Sequence, residues 1–323
     1  MKATYGFCVT SEIKVDGGDW PRLSYERDGM HVSIEKPLPW TQLEWEPDSV
    51  IMHSKIPPPP ERFAFEVGRD LSGTTLVKIG VTPLAQVSGG DPYNLTRDAA
   101  LTALHEFVSW VRVLTRQYWI GRSRRAVKND KYIMYVGEFG KGKPRHTGGM
   151  GRGFIYGAEL NAATWAQIGN KLALGQRPSA SNLFFCDALL DIAERNVTQA
   201  VAGLGVSCEV EIYSLTQDVV RRRNEEFQRL YEQFIRIKFE DGFRVLEKLG
   251  CKPFKEFDPD ARRMVLQLYG ARGKAVHKGD PFYREDGRDV TITSTEVTKY
   301  VPAVEKLFAW ADAERLRLAA QHG

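Results

Sequence analysis

The chain is poor in cysteine, has no long apolar run and is dominated by neither sign of charge, and each shortage excludes a class of protein. Its 323 residues hold four cysteines, Cys8, Cys186, Cys208 and Cys251, widely spaced and without a C-x2-C pair. That spacing encodes neither a zinc knuckle nor a disulfide framework, so all four are expected to be reduced and structural. No apolar stretch approaches the roughly 20 residues that cross a bilayer. The opening MKATYGFCVT reaches Ser11 and Glu12 before a signal-peptide core could form. A cytoplasmic protein with no membrane segment is expected, which would make the glycosylation-like patterns at Asn94 and Asn196 irrelevant. With 45 basic and 41 acidic residues the net charge is only +4, so contact with phosphate must come from local clusters and not from a global field. Three such clusters stand out: Arg221-Arg222-Arg223, Arg262-Arg263, and Arg122, Arg124 and Arg125 with Lys128. Most runs of this kind are solvated surface.

Hydrophobic residues at 42% and charged residues at 27% are those of an ordinary globular chain. The length suits two domains of about 100 to 200 residues each. The first ninety residues show period-two alternation at Met30 to Ile34 and Thr75 to Val81, which predicts strands. Pro57 to Pro60 predict an extended loop. Leu101, Leu104, Phe107, Val108, Val111 and Leu114 recur at helical spacing, which predicts an amphipathic helix over 97–118 with Thr96 as its N-cap. Tyr132 to Val136 reads as a strand and leads into a glycine-rich stretch. Beyond Pro178 the pattern is helical. One helix is expected over Asp187 to Glu194, and a second traced by Val197, Val201, Leu204, Cys208, Ile212, Leu215 and Val219. Gly203 and Gly205 weaken that second assignment, and Cys208 to Tyr213 also alternates as a strand would. Further helices are expected over about Asn224 to Leu249, after the Asp258-Pro259 cap, and from Ser294 onward. The expected fold class is therefore α+β, a β-rich N-terminal domain over 1–180 followed by an all-α bundle over 181–323.

Two segments invite a chemical reading. Gly137-x4-Gly142-Lys143 after a strand imitates a phosphate-binding loop, which would make a nucleotide-hydrolysing enzyme. Pro144 stands where the motif needs a magnesium-holding hydroxyl, however, and the expectation there is a basic surface loop. The second segment is Leu268-Tyr269-Gly270-Ala271-Arg272-Gly273-Lys274-Ala275-Val276-His277-Lys278-Gly279, an Arg-x4-His spacing inside a capped helix. Arg317 and His322 repeat the spacing, but in a terminal stretch expected to fray.

At Arg272 and His277 the sequence resembles the HEPN superfamily, whose nucleases carry such a motif in a late helix of a helical domain. Ala200-Val201 followed by Cys208-Glu209 resembles the family's earlier helix, which often carries an acidic residue. The resemblance covers roughly residues 183 to 315 and implies an HEPN-like bundle. It also implies a metal-independent, cofactor-free endoribonuclease with RNA as substrate, of the kind found among toxins and defence effectors. Such chemistry suits the residue types, because imidazole can move a proton at the 2′-hydroxyl or the leaving oxygen while guanidinium stabilises phosphate charge. On an ideal helix the two side chains stand about 140° apart, so one straight helix does not converge them. The resemblance implies the remedy, two motifs meeting across a dimer, and a homodimer is expected. Periodicity does not choose between Glu209 and Glu211 as a partner for Arg272, whereas the resemblance favours Glu209. Lys274 and Lys278 are candidate substrate-binding residues. One departure stands out, since Gly273 follows the motif Arg where many relatives have Asn, Asp or His. The alternative reading is a non-catalytic module of the same type that binds RNA, a nucleotide or a protein partner.

Overall fold

A computed structural model describes residues 3–9, 13–39, 75–85, 92–120, 132–136, 157–222, 239–285 and 287–322. The chain divides into two compact units, Met1–Pro178 and Ser179–Gly323. The protein is α+β, an antiparallel sheet with helices followed by a helical C-terminal unit.

In the first unit the strands are β1 (Ala3–Val9), β2 (Leu23–Arg27), β3 (Met30–Ile34), β4 (Leu38–Pro39), β5 (Thr75–Pro83) and β6 (Tyr132–Val136). They form one sheet in the order β2-β3-β5-β1-β6, with β4 also pairing to β5 and every pairing antiparallel. The alternation predicted for β5 is realised: Val77, Ile79 and Val81 are fully buried while Lys78, Gly80 and Thr82 on the other face are half-buried. Helix α1 (Pro92–Thr115) packs its stripe of Leu104, Phe107, Val108 and Val111 against that inner face. The helix begins five residues earlier than the hydrophobic pattern suggested. Thr96 is therefore no cap but a fully buried residue of its second turn. It also ends earlier, because Arg116 takes the left-handed conformation at φ 56°. Helix α2 (Ala162–Ala173), unforeseen in the sequence, brings buried Trp165 edge-on to Phe107 at 5.7 Å, and its indole N–H donates to the Pro21 carbonyl at 2.8 Å.

The second unit consists of α3 (Ala180–Ala193), α4 (Val197–Arg221), α5 (Phe239–Lys248), the short α6 (Phe254–Phe257), α7 (Pro259–Lys278), a hairpin of β7 (Phe282–Glu285) and β8 (Arg288–Thr291), and α8 (Ser294–His322). Helix α4 is its axis, packed by α3, α5, α7 and α8. The stripe read from the sequence is realised, with Val201, Leu204, Cys208, Ile212, Leu215 and Val219 all buried. The strand alternative for Cys208 to Tyr213 is set aside, since that stretch lies mid-helix. The glycines that argued against a helix mark close approach: a Cβ at Gly203 would lie 3.0 Å from the Ala188 Cβ, and one at Gly205 would lie 2.6 Å from the Cβ of Arg272. Helix α3 starts seven residues before the expected Asp187, capped by the Ser179 hydroxyl, which accepts from the Asn182 N–H. At the start of α8, Thr293 and Glu296 cap each other reciprocally, with the Thr293 N–H donating to Glu296 at 2.9 Å and the Glu296 N–H donating back at 3.3 Å. Cys186, Cys208 and Cys251 are buried and form no disulfide among the described residues.

Several expectations fall outside the described residues: the Pro57 to Pro60 loop, the Arg122 to Lys128 cluster, the Gly137 to Lys143 stretch, Arg223, and the first part of the helix expected from Asn224.

Candidate functional site

The site is built on α7. Asp258 caps it by accepting from the Ala261 N–H at 2.7 Å, and Pro259 occupies the first turn, where its missing N–H costs nothing. The Lys306 ammonium of α8 donates to the second carboxylate oxygen. That bond first, and the Ala261 N–H second, hold the Asp258 carboxyl below the usual range. At the other end Gly279, at φ 77°, closes the helix as only glycine does without strain. The Gly279 carbonyl accepts from the Thr198 hydroxyl at 3.1 Å, so the last turn of α7 is tied to the first turn of α4. Ala261, Val265, Leu268, Ala271 and Ala275 form the buried face. Everything chemical lies on the flanks of that stripe.

Arg272 leaves the buried face toward α4. Its Nη2 donates to Glu209 Oε2 at 2.9 Å, with 28% of the arginine side chain and 40% of the glutamate side chain exposed. The aliphatic stem lies against bare backbone at Gly205, where any Cβ would come within 2.7 Å of the Arg272 Cγ. The guanidinium carbon sits 5.8 Å from the centroid of Tyr269, whose own ring stacks on Phe239 at 4.4 Å. Arg272 is thus gripped by a carboxylate, an aromatic ring and a glycine, while its Nε is buried and has no hydrogen-bond partner among the described residues.

His277 stands on the last turn, exposed, with no hydrogen bond or ion pair among the described residues. Five residues at about 100° each place it roughly 140° round the helix from Arg272. The structure therefore does not bring Arg272 and His277 together within one chain, although both reach the surface. Close to both, Gly270 and Gly273 contribute no side chain, and a Cβ at either would meet nothing within 4 Å. Val276, beside His277, is 56% exposed. Lys274 and Lys278 lie on the far flank of His277, their ammonium groups 5.6 and 5.9 Å from the centroid of Phe282 at the start of the hairpin. The hairpin, absent from the expected all-helical layout, has a legible signal in Asp286-Gly287 between two four-residue segments.

Glu211 does not serve Arg272. It is buried, two residues along α4 and turned about 200° away, and it pairs with Arg315 at 2.6 Å while accepting from the Ser181 hydroxyl. The second Arg-x4-His lies inside α8, which runs through His322. That arginine is bound to buried Glu314 and donates to the Gly250 carbonyl at 2.6 Å. Arg222 donates to the Arg315 carbonyl at 3.2 Å and Arg263 to Asp260 at 3.4 Å, so these two basic runs are partly occupied by the protein itself. Among the described residues no group of three His, Cys, Asp or Glu is placed to hold a metal ion, and no helix is long and apolar enough to cross a membrane.

Comparison with protein-family models, with curated proteins and with solved structures finds no match. The functional reading therefore rests on the site itself.

Proposed function

We propose that this chain is a metal-independent endoribonuclease of the HEPN type, acting as a homodimer. The observation that carries this reading is the pairing of an anchored guanidinium with an open imidazole on one helix. Arg272 is oriented by Glu209 and Tyr269, His277 is exposed about one turn later, and Gly270 and Gly273 beside them leave open space on the helix surface. In the reaction, the 2′-hydroxyl of the substrate loses its proton to an imidazole and attacks the adjacent phosphorus. The 5′-oxygen leaves as a hydroxyl after accepting a proton from an imidazolium, and a 2′,3′-cyclic phosphate remains. Arg272 neutralises charge on the phosphoryl oxygens as the transition state crowds. The angle of about 140° between the two side chains is why a second copy is invoked. A neighbouring α7 laid against the bare Gly270 and Gly273 steps would bring the imidazole of one copy toward the guanidinium of the other.

The test is cleavage of single-stranded RNA by purified protein in excess EDTA, read as products ending in 5′-hydroxyl and cyclic phosphate. His277→Ala is expected to lower the rate by about 10²- to 10⁴-fold, the usual contribution of a general acid or base, with the melting temperature unchanged. Equal inertness of wild type and variant on varied RNAs would defeat the reading. The non-catalytic alternative draws on the lack of an orienting partner for His277 among the described residues. It predicts RNA binding that survives His277→Ala, with no products from either protein.

A further inference from the structure

We infer that the last turn of α7 and the start of the hairpin form a second contact for the RNA strand, a phosphate subsite made by Lys274 and Lys278 on the platform of Phe282. The inference rests on the proposed RNA-cleaving role and says where the chain flanking the cut linkage runs. Both ammonium groups are exposed and lie within 6 Å of the same ring centroid, at 5.6 and 5.9 Å. Neither lysine has an ion pair among the described residues, and the nearest carboxylate in sequence, Asp280, pairs with neither. Most surface lysines sample many rotamers, and ordering one on a phosphate costs entropy. A lysine already resting on an aromatic face has lost part of that freedom while keeping its three N–H donors free for an anion.

Placement supports the same conclusion. Lys274 and Lys278 are one helical turn apart, about 6 Å along the axis, a spacing comparable to one step along an extended strand. Lys274 lies about 60° from His277 and Arg272 about 140° from it on the opposite side. A strand crossing the end of α7 therefore meets guanidinium, imidazole and ammonium pair in turn. The helix terminus itself repels anions with only about half an elementary charge, which two full positive charges outweigh. Next on the ring's face of the hairpin, Arg284 is already paired with Asp289 at 3.2 Å, so the free positive charge is concentrated at the ring.

The experiment measures binding of a labelled single-stranded RNA of mixed sequence to the full chain carrying His277→Ala, across a salt series. Removing two phosphate contacts with Lys274→Ala/Lys278→Ala is expected to weaken binding about tenfold near 0.15 M salt and to reduce the log–log salt slope by about 1.4. Lys274→Arg/Lys278→Arg keeps the slope, and Phe282→Leu keeps the slope while weakening affinity less than the alanine pair does. Lys255→Ala/Lys299→Ala, which removes two exposed lysines elsewhere on the same unit, changes neither quantity. An unchanged slope in the alanine pair, an equal fall in the control pair, or no RNA binding at all overturns the subsite. Its failure is separable from that of the nuclease reading. If wild type cleaves RNA and the alanine pair cleaves with the same kcat/KM, the subsite is wrong and the nuclease stands. If wild type is inert yet the slope falls as stated, the subsite stands and the nuclease does not.

Discussion

Two arginines of the same helical unit meet carboxylates of the same helix, α4, and the resemblance ends there. Arg315 spends its donors inside the protein: Nη1 on Glu211 at 2.6 Å and on Asp312 at 3.0 Å, Nε on Asp218 at 2.8 Å, Nη2 on the Ser214 hydroxyl at 3.3 Å. Desolvation works against its charge, but Glu211 and Asp218 outweigh it and raise the guanidinium further above its ordinary range. Arg272 has one carboxylate, a ring and a buried Nε with no partner among the described residues. A saturated arginine locks helices together, whereas an arginine held firmly but incompletely retains capacity for a substrate. The Arg-x4-His spacing at Arg317 teaches the same lesson, because there too Glu314 and the Gly250 carbonyl consume the donors.

The sharpest way to break that comparison is to truncate both arginines. Arg315→Ala leaves Glu211, 3% exposed, as a buried charge with only the Ser181 hydroxyl as a partner among the described residues, and losing one partner of such a pair costs about 3 kcal/mol or more. Arg272→Ala frees a 40% exposed glutamate to hydrate, and exposed pairs are worth about 1 kcal/mol or less. Denaturant melts of the two variants should therefore differ by at least about 2 kcal/mol. RNA cleavage is expected to be lost in Arg272→Ala. A variant of Arg272 as destabilised as that of Arg315 would mean that both arginines are structural.

Glycines sharpen the contrast on a smaller scale. Gly205→Ala drives a methyl to 2.6 Å from the Arg272 Cβ, an overpacking that costs about 1 to 3 kcal/mol and tilts the guanidinium away from Glu209. Gly273→Ala meets nothing within 4 Å, and on propensity alone should stabilise α7 by up to about 1 kcal/mol. Opposite signs in the melting temperatures are the expected result. Equal signs would mean that the α4–α7 contact is looser than the spacing implies.

How much of this was legible in the sequence follows from how local each signal is. The caps of α7 at Asp258-Pro259 and Gly279 could be read directly, since capping depends on neighbours in the chain. So could β3, β5 and β6, whose alternation or apolar content is local. The hydrophobic pattern misses the start of α1 because its first turn, Pro92 to Leu95, carries little periodic signal. The apolar stripe of α4 is legible in the sequence, but its glycines look like breakers because what they accommodate, Ala188 at Gly203 and Arg272 at Gly205, lies on other helices, Arg272 being 67 positions away in the numbering. The choice between Glu209 and Glu211 needed the same long-range information. The hairpin is harder to read, because its one local signal, Asp286-Gly287, lies between two strongly helical patterns.

The smallest expected effect concerns acid. Asp258 at the start of α7 is held below its ordinary range by Lys306 and the Ala261 N–H, and Glu296 at the start of α8 by the Thr293 N–H and hydroxyl. In each case the folded state binds protons less readily than the unfolded chain does. Their contributions are thus complete above the unfolded carboxyl value of about 4 and are lost as pH falls through the lower folded value. The melting temperature should decline on acidification below about pH 4. Asp258→Asn keeps an N-cap acceptor for Ala261 but removes the titrating charge facing Lys306. Its melting temperature should be slightly lower at neutral pH and fall less steeply in acid. The two curves should converge at the acid end, where the carboxyl is protonated in both states. Parallel curves across that range would mean that the Lys306 contact does not stabilise α7, and that the anchor of the site helix is the backbone cap alone.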